Sequence, residues 1–156
     1  MPFGNNLSLR VPTLKKAKRL ALEEPLRRRI LLVDDDADTL ALIRIWLTQQ
    51  GFDVSVAANG IEALSQIQEE PPDLIVTDQS MPRMTGLELC ARLRARAKTR
   101  HIPIIMCSAQ PLQPADGLFE RALLKPASLA QLSDEIVSLL ESRPLKLQQP
   151  RERGSG

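Results

Sequence analysis

Two apolar runs that each end in carboxylates constrain this chain more than any other feature. Ile30-Leu31-Leu32-Val33 leads into Asp34-Asp35-Asp36, and Leu74-Ile75-Val76 leads through Thr77 into Asp78. Short continuous apolar runs suit strands covered on both faces of a parallel sheet. In open sheets of that kind, ligands bind beyond the C-terminal strand ends, where the strand order reverses. Two acidic strand ends converging there repel each other unless a hard cation joins them. After Asp78 the Pro- and Gly-bearing stretch Gln79-Ser80-Met81-Pro82-Arg83-Met84-Thr85-Gly86 re-aims the chain into a helix.

The intervening sequence alternates strand and helix patterns. Strand one is Ile30 to Val33. Helix one is expected from about Asp38 to Gln50, with Leu40, Ile43 and Leu47 spaced for a buried face and Gly51 as its stop. Strand two is Asp53 to Ala57. Asn59-Gly60 opens helix two, whose Ile61, Leu64 and Ile67 face inward, and Pro71-Pro72 closes it. Strand three is Asp73 to Thr77. Helix three, about Gly86 to Lys98, buries Leu87, Cys90 or Ala91, and Leu93, and turns Arg92, Arg94, Arg96 and Lys98 to solvent. Strand four is Ile102 to Cys107, and a short strand five is about Ala122 to Leu124. The last helix opens at Ser128, with Gln131 at capping-box spacing, and buries Leu129, Leu132, Ile136, Leu139 and Leu140 before Pro144.

This alternation predicts an α/β fold: a doubly wound five-stranded parallel sheet of flavodoxin-like strand order 2-1-3-4-5. The ligand crevice then falls between strands one and three, the two that end in acids. Only about a dozen residues, Pro111, Pro114 and Gly117 among them, separate strands four and five. With a few loop residues at each end, the fourth helix is short or absent.

The 156 residues, 43% hydrophobic, have room for one domain with a real core. Cys90 and Cys107, the two cysteines, fall inside apolar segments without metal-like spacing and are expected to be reduced, packed thiols of a cytoplasmic protein. No apolar run approaches the ~20 residues that span a bilayer, and the N-terminus lacks the apolar stretch of a secretion signal.

Net charge divides the chain into three. Residues 1–29 carry eight Lys/Arg against two Glu, residues 30–142 nine basic against sixteen acidic, and residues 143–156 four basic against one acidic. We therefore expect a basic N-terminal extension (1–29), a folded domain (30–143) and a disordered tail (144–156). Thr13 to Glu24 reads as a short helix with Leu14, Ala17, Leu20 and Ala21 on one side, ended by Pro25. The extension is expected to be a solvated leader or an arm that contacts an acidic partner or surface.

Four motifs in order carry a resemblance. They are Leu32-Val33-Asp34-Asp35-Asp36, Asp73-Leu74-Ile75-Val76-Thr77-Asp78 with Met81-Pro82 and Gly86, Ile105-Met106-Cys107-Ser108-Ala109, and Leu124-Lys125-Pro126. Each alone is common. Together, from Ile30 to about Ser142, they resemble a receiver domain of the bacterial response-regulator family. The resemblance implies that Asp78 accepts a phosphoryl group from the phosphohistidine of a histidine kinase or phosphotransfer protein. It implies Mg²⁺ bound by Asp35 and Asp78, with the Ser80 main-chain carbonyl as a third ligand and Asp34 acting through water. Lys125 would neutralise the phosphoryl oxygens and the Ser108 hydroxyl would hydrogen-bond one of them. It also suggests a cis bond at Lys125-Pro126, while Asp36 reads better as a helix cap than as a ligand.

Ala122 departs from the family pattern, which places an aromatic residue three positions before the lysine. Phe119 is the nearest aromatic and is out of register. With the shortened crossover, this suggests a second reading: a receiver-like interaction module that works without phosphorylation-driven switching. The first reading is a single-domain receiver that catalyses only its own modification, with no DNA-binding domain in the few residues after the last helix. A haloacid-dehalogenase-type phosphohydrolase fits worst. Asp34-Asp35-Asp36 matches its Asp-x-Asp, but Asp38 stands where that family has Thr or Val, and no cap is recognisable.

Overall fold

The computed structural model describes residues 27–114 and 117–143; most of the basic extension and the expected C-terminal tail lie outside these. Five strands, β1 (Arg29–Val33), β2 (Asp53–Ala57), β3 (Leu74–Asp78), β4 (Ile104–Ser108) and β5 (Arg121–Leu124), form one parallel sheet in the order β2-β1-β3-β4-β5. The helices are α1 (Ala37–Gln49), α2 (Gly60–Glu69), α3 (Gly86–Arg94) and α4 (Leu129–Glu141). The predicted fold class and strand order hold, and strand boundaries shift by one or two residues. Arg29 joins β1, where its N–H donates to Asp73 Oδ2 at 2.7 Å. Asp73 therefore ties the start of β1 and precedes strand three instead of opening it.

The sheet is covered on both faces because its strands are apolar on both. Ile30, Leu32, Leu74, Val76 and Ile105 pack with α1 and α4, whereas Leu31, Val33, Ile75, Ile104 and Met106 pack with α2 and α3. Successive strand residues point to opposite faces, so each run supplies both cores at once. Helix starts are fixed by side-chain caps: Asp36, Asn59, Thr85 and Ser128 each accept a backbone N–H from their own first turn. At the end of α1, Gly51 adopts φ +96°, while its N–H and that of Phe52 donate to Thr48 and Leu47 carbonyls. This is a Schellman stop, and Phe52 and Leu47 share the core beneath it.

Three expected faces are corrected. Ile61 is 54% exposed, and the buried stripe of α2 is Gly60, Ala63 and Ile67. A Cβ at position 60 would stand 2.6 Å from Met84 Sδ, so the start of α2 lies against the loop after β3, and with Gly60, Ala63 and Ile67 inward the helical phase turns Ile61 out. In α3, Cys90 takes the buried position and Ala91 is exposed; Leu87 and, in α4, Leu129 are only half-buried. Burial pushes the Cys90 thiol up to about 12 and the Cys107 thiol up to about 11. At pH 8 only about one Cys90 in ten thousand would be thiolate. A thiol reagent is expected to leave Cys90 unmodified until urea unfolds the chain; rapid labelling of Cys90 under native conditions would contradict this packing.

The third correction concerns Arg94, expected in solvent with its neighbours. It is instead the pin of the fourth crossover. No helix joins β4 to β5 among the described residues. Arg94 Nε donates to the carbonyls of Gly117 (3.0 Å) and Leu118 (3.1 Å), and Nη1 to those of Arg100 and Ile102, both at 2.7 Å. Nη2 holds the Glu120 carboxylate at 3.0 Å from both oxygens. Glu120 in turn accepts from the Ile104 backbone N–H at 2.6 Å and meets Arg143 Nη2 at 3.3 Å. Phe119, buried beside Cys90 and Leu93, fills the apolar space below.

Candidate functional site

The C-terminal ends of β1 and β3 are adjacent, with Val33 paired to Thr77, so the residues that follow reach one crevice. Asp34 and Asp78 are 8% and 6% exposed, and Asp35 stands in solvent. Carboxylate oxygens of Asp34, Asp35 and Asp78 lie within 4.8 Å of one another. Lys125 reaches in from the end of β5. Its Nζ sits 2.7 Å from Asp78 Oδ1 and 3.8 Å from Asp34 Oδ2.

The electrostatics follow from this crowding. Burial, with the Asp78 charge beside it, holds the Asp34 carboxyl above its usual value, although the Asp36 N–H donates to Asp34 Oδ1 at 2.9 Å. Burial alone would lower Lys125, but its hydrogen bond and ion pair with Asp78 outweigh this and leave it raised. The lysine is therefore a fixed positive charge against two buried acids. Asp36 takes no part in the trio: it caps α1, accepting from Asp38 N at 3.1 Å and Thr39 Oγ1 at 2.6 Å.

The surrounding backbone is held as tightly. Gln79 N–H donates to the Cys107 carbonyl at 2.9 Å, the Gln79 carbonyl accepts from Gly86 N at 3.0 Å, and Gln79 Oε1 accepts from Leu87 N at 2.8 Å. A Cβ at position 86 would stand 2.5 Å from the Asp78 carbonyl oxygen and 2.7 Å from Met106 Sδ, so only glycine lets α3 start this close. Gln79 was not singled out in the sequence, since a lone glutamine in a polar loop carries no pattern. Ser80 is exposed two residues beyond Asp78.

Ser108 ends β4 one residue past Cys107, the register partner of Asp78. It is buried, and its Oγ accepts the Gln110 N–H at 3.1 Å, which leaves the hydroxyl proton available to donate. The Lys125 N–H donates to the Ser108 carbonyl at 2.8 Å, and the Lys125-Pro126 bond is cis, as expected. Ala122 is half-buried opposite Met106 in the β4–β5 register. The crevice brings Asp34, Asp35, Asp78 and Lys125 together, all four singled out in the sequence, whereas the loop support from Gln79 was missed.

This order of elements, with three acids and a lysine at the switch point, is matched by the response regulator receiver domain family over residues 30–136. The chain belongs to that family. Receivers of this family serve two-component systems. Curated relatives include the phosphate regulon transcriptional regulatory protein PhoB of Rhizobium meliloti, 35% identical over 117 residues, 72% of this chain and 52% of PhoB. The DNA-binding response regulator MtrA of Mycobacterium tuberculosis is 39% identical over 87 residues, 56% of this chain and 37% of MtrA. The receiver thus spans about half or less of these relatives' length. Among solved structures, a response regulator from Desulfuromonas acetoxidans is 32% identical with a TM-score of 0.68, covering 75% of this chain and 99% of that one. The Vibrio cholerae chemotaxis protein CheY4 is 27% identical with a TM-score of 0.66, covering 70% and 95%.

Proposed function

We propose that this receiver accepts a phosphoryl group on Asp78 from a phosphohistidine of a histidine kinase or phosphotransfer protein, in a Mg²⁺-dependent reaction. The observation that carries this reading is the buried Asp78 carboxylate, held by Lys125 at 2.7 Å on the rim of a three-acid crevice. An Asp78 oxygen forms the new P–O bond as the P–N bond to the imidazole breaks, and the leaving nitrogen keeps the electron pair. Such transfers need mainly positioning and charge neutralisation. Lys125 already lies against the acceptor and would follow the incoming phosphoryl oxygens, and the Ser108 hydroxyl would donate to one of them. The chain would catalyse only its own phosphorylation and dephosphorylation.

The donor set fits a hard divalent cation: three carboxylates, two of them buried, with oxygens inside 4.8 Å and one lysine to offset them. Asp35 and Asp78 would hold Mg²⁺ with the Ser80 main-chain carbonyl, Asp34 acting through water; the ion would supply the remaining charge neutralisation. Among the described residues no helix is long and apolar enough to cross a membrane. As the acceptor from a histidine kinase or phosphotransfer protein, the proposed receiver would work in the cytoplasm.

Intact-mass spectrometry after incubation with Mg²⁺ and a small phosphodonor tests the reading. The wild type is expected to gain the mass of one phosphoryl group, and Asp78→Asn none. A gain in Asp78→Asn, or an undiminished gain with the metal chelated, would overturn the assignment. A second reading, an interaction module that works without phosphate-driven switching, is favoured by Ala122 opposite Met106 and by a crossover with no helix among its described residues. It predicts no change in partner binding on phosphorylation.

A further inference from the structure

Helix α3 begins beside the crevice, and its first amide groups have no partner within the helix. The Gly86 N–H donates to the Gln79 carbonyl at 3.0 Å, the Leu87 N–H to Gln79 Oε1 at 2.8 Å, and the Glu88 N–H to Thr85 Oγ1 at 3.2 Å. Thr85 is an ordinary cap, one residue ahead of the helix. Gln79 is not: it follows Asp78 directly, lies seven residues before Gly86, and still takes two of the three amides. Its own N–H donates to the Cys107 carbonyl at 2.9 Å, which continues the β3–β4 ladder past Asp78. One half-buried glutamine therefore ties the ends of two strands to the start of a helix.

The consequence falls on the next residue. The Gln79 carbonyl lies in the rigid peptide plane that joins Gln79 to Ser80. Held by the Gly86 N–H alone, that plane could pivot about a single hydrogen bond. The side-chain bond to Leu87 removes this freedom, because both contacts leave one residue and end on successive amides of one helix. The Ser80 carbonyl, the main-chain ligand of the proposed Mg²⁺ site, follows directly from that plane. Ser80 itself is exposed, and the next buried side chains down the loop are Met81 and Met84. Gln79 is thus the anchor on the Asp78 side of this carbonyl, and the two methionines are the anchors beyond it.

We propose that Gln79 is a positioning residue for the divalent cation: its Oε1 bond to the Leu87 N–H holds the Ser80 carbonyl where the metal meets it. The inference rests on the reading above, in which Asp78 is phosphorylated with Mg²⁺ in this crevice. Gln79→Met keeps an unbranched side chain and loses the acceptor. Groups that orient metal ligands from outside typically change affinity ten- to a hundredfold, and a single bond belongs at the lower end. Gln79→Met should therefore raise the Mg²⁺ concentration for half-maximal phosphorylation about tenfold, with the rate at saturating Mg²⁺ within about twofold of the wild type. Its circular dichroism should not change. Gln79→Glu keeps an acceptor at the helix N-terminus, where a carboxylate is favoured, and should hold the midpoint at the wild-type value or below it. Coupling is reciprocal, so bound Mg²⁺ should strengthen the cap as the cap strengthens Mg²⁺ binding. In the wild type without any phosphodonor, the Leu87 amide should accordingly exchange with deuterium about tenfold more slowly at saturating Mg²⁺. Equal Mg²⁺ midpoints in the wild type and Gln79→Met, an equal rise in Gln79→Met and Gln79→Glu, or Leu87 exchange that Mg²⁺ leaves unchanged overturns the proposal. Should Gln79→Met fail to fold, the exchange measurement on the wild type decides alone. A wild type that takes no phosphoryl group at any Mg²⁺ concentration removes the phosphoacceptor reading instead, and the Leu87 exchange still tests the cap.

Discussion

Asp35→Ala is expected to abolish phosphorylation of Asp78 while leaving the domain folded. Asp35 is the exposed member of the acidic trio, packs against nothing in either core, and caps no helix. Its place in the crevice is therefore electrostatic. In the proposed site it supplies one of two direct carboxylate ligands to the Mg²⁺ that would neutralise the developing charge, and losing such neutralisation typically costs a hundredfold or more in rate. Without a metal, removing one of three crowded negative charges relieves repulsion, so the urea midpoint should stay level or rise slightly. Intact-mass spectrometry with a small phosphodonor and urea denaturation check the two halves. Phosphorylation at the wild-type rate would remove Asp35 from the site. A lower urea midpoint would show that it also serves the fold.

What the sequence made legible was whatever a local pattern and a strand end can encode together. The runs Ile30–Val33 and Leu74–Val76 announced strands buried on both faces, and the acids at their ends announced the crevice, because parallel strands deliver their C-termini to one edge. The caps Asn59 and Ser128 were equally plain, since their side chains act within a single turn. Periodicity failed on α2, where apolar size suggested an inward Ile61. The inward stripe is Gly60, Ala63 and Ile67, and its phase is set where Gly60 packs against Met84, a contact with the loop after β3 that apolar size does not reveal. It failed more instructively at Arg94, which sits among basic residues on an otherwise polar helix side. Its carbonyl partners lie up to 24 residues away and carry no sequence signature, and its carboxylate partner, Glu120, lies 26 away.

The crossover that Arg94 pins also bears on the site. Ser108 ends β4 and Lys125 follows β5, so the spacing of these two strand ends sets where hydroxyl and ammonium stand around Asp78. In an ordinary doubly wound sheet a helix between them would fix that spacing by packing an apolar face. Here Phe119 supplies the apolar contact, and the Arg94–Glu120 pair supplies the rest. A polar clamp is more directional than a packed helix face, since each of its bonds has a preferred geometry. That suits a short connection of irregular backbone whose carbonyls would otherwise be unsatisfied.

Arg94→Ala should accordingly be the most destabilising single change to a charged residue on α3. It removes the bonds to four carbonyls and leaves Glu120, only 24% exposed, with Arg143 as its remaining ion-pair partner. Breaking a fully buried pair costs 3–5 kcal/mol; allowing for the partial exposure here, we expect about 3 kcal/mol. At a typical urea m-value this lowers the midpoint by roughly 1–2 M. Arg92→Ala, two residues away and exposed, is the matched control and should stay within about 0.5 kcal/mol. Arg94→Lys should recover little, because an ammonium cannot span a carboxylate and two pairs of carbonyls on different sides of a planar fork. The phosphorylation rate of Arg94→Ala, measured where it is still folded, should also fall, since the ends of β4 and β5 lose their fixed separation. If Arg94→Ala and Arg92→Ala unfold at the same urea concentration, the clamp does not hold the crossover, and Phe119 with the β4–β5 ladder must do so alone.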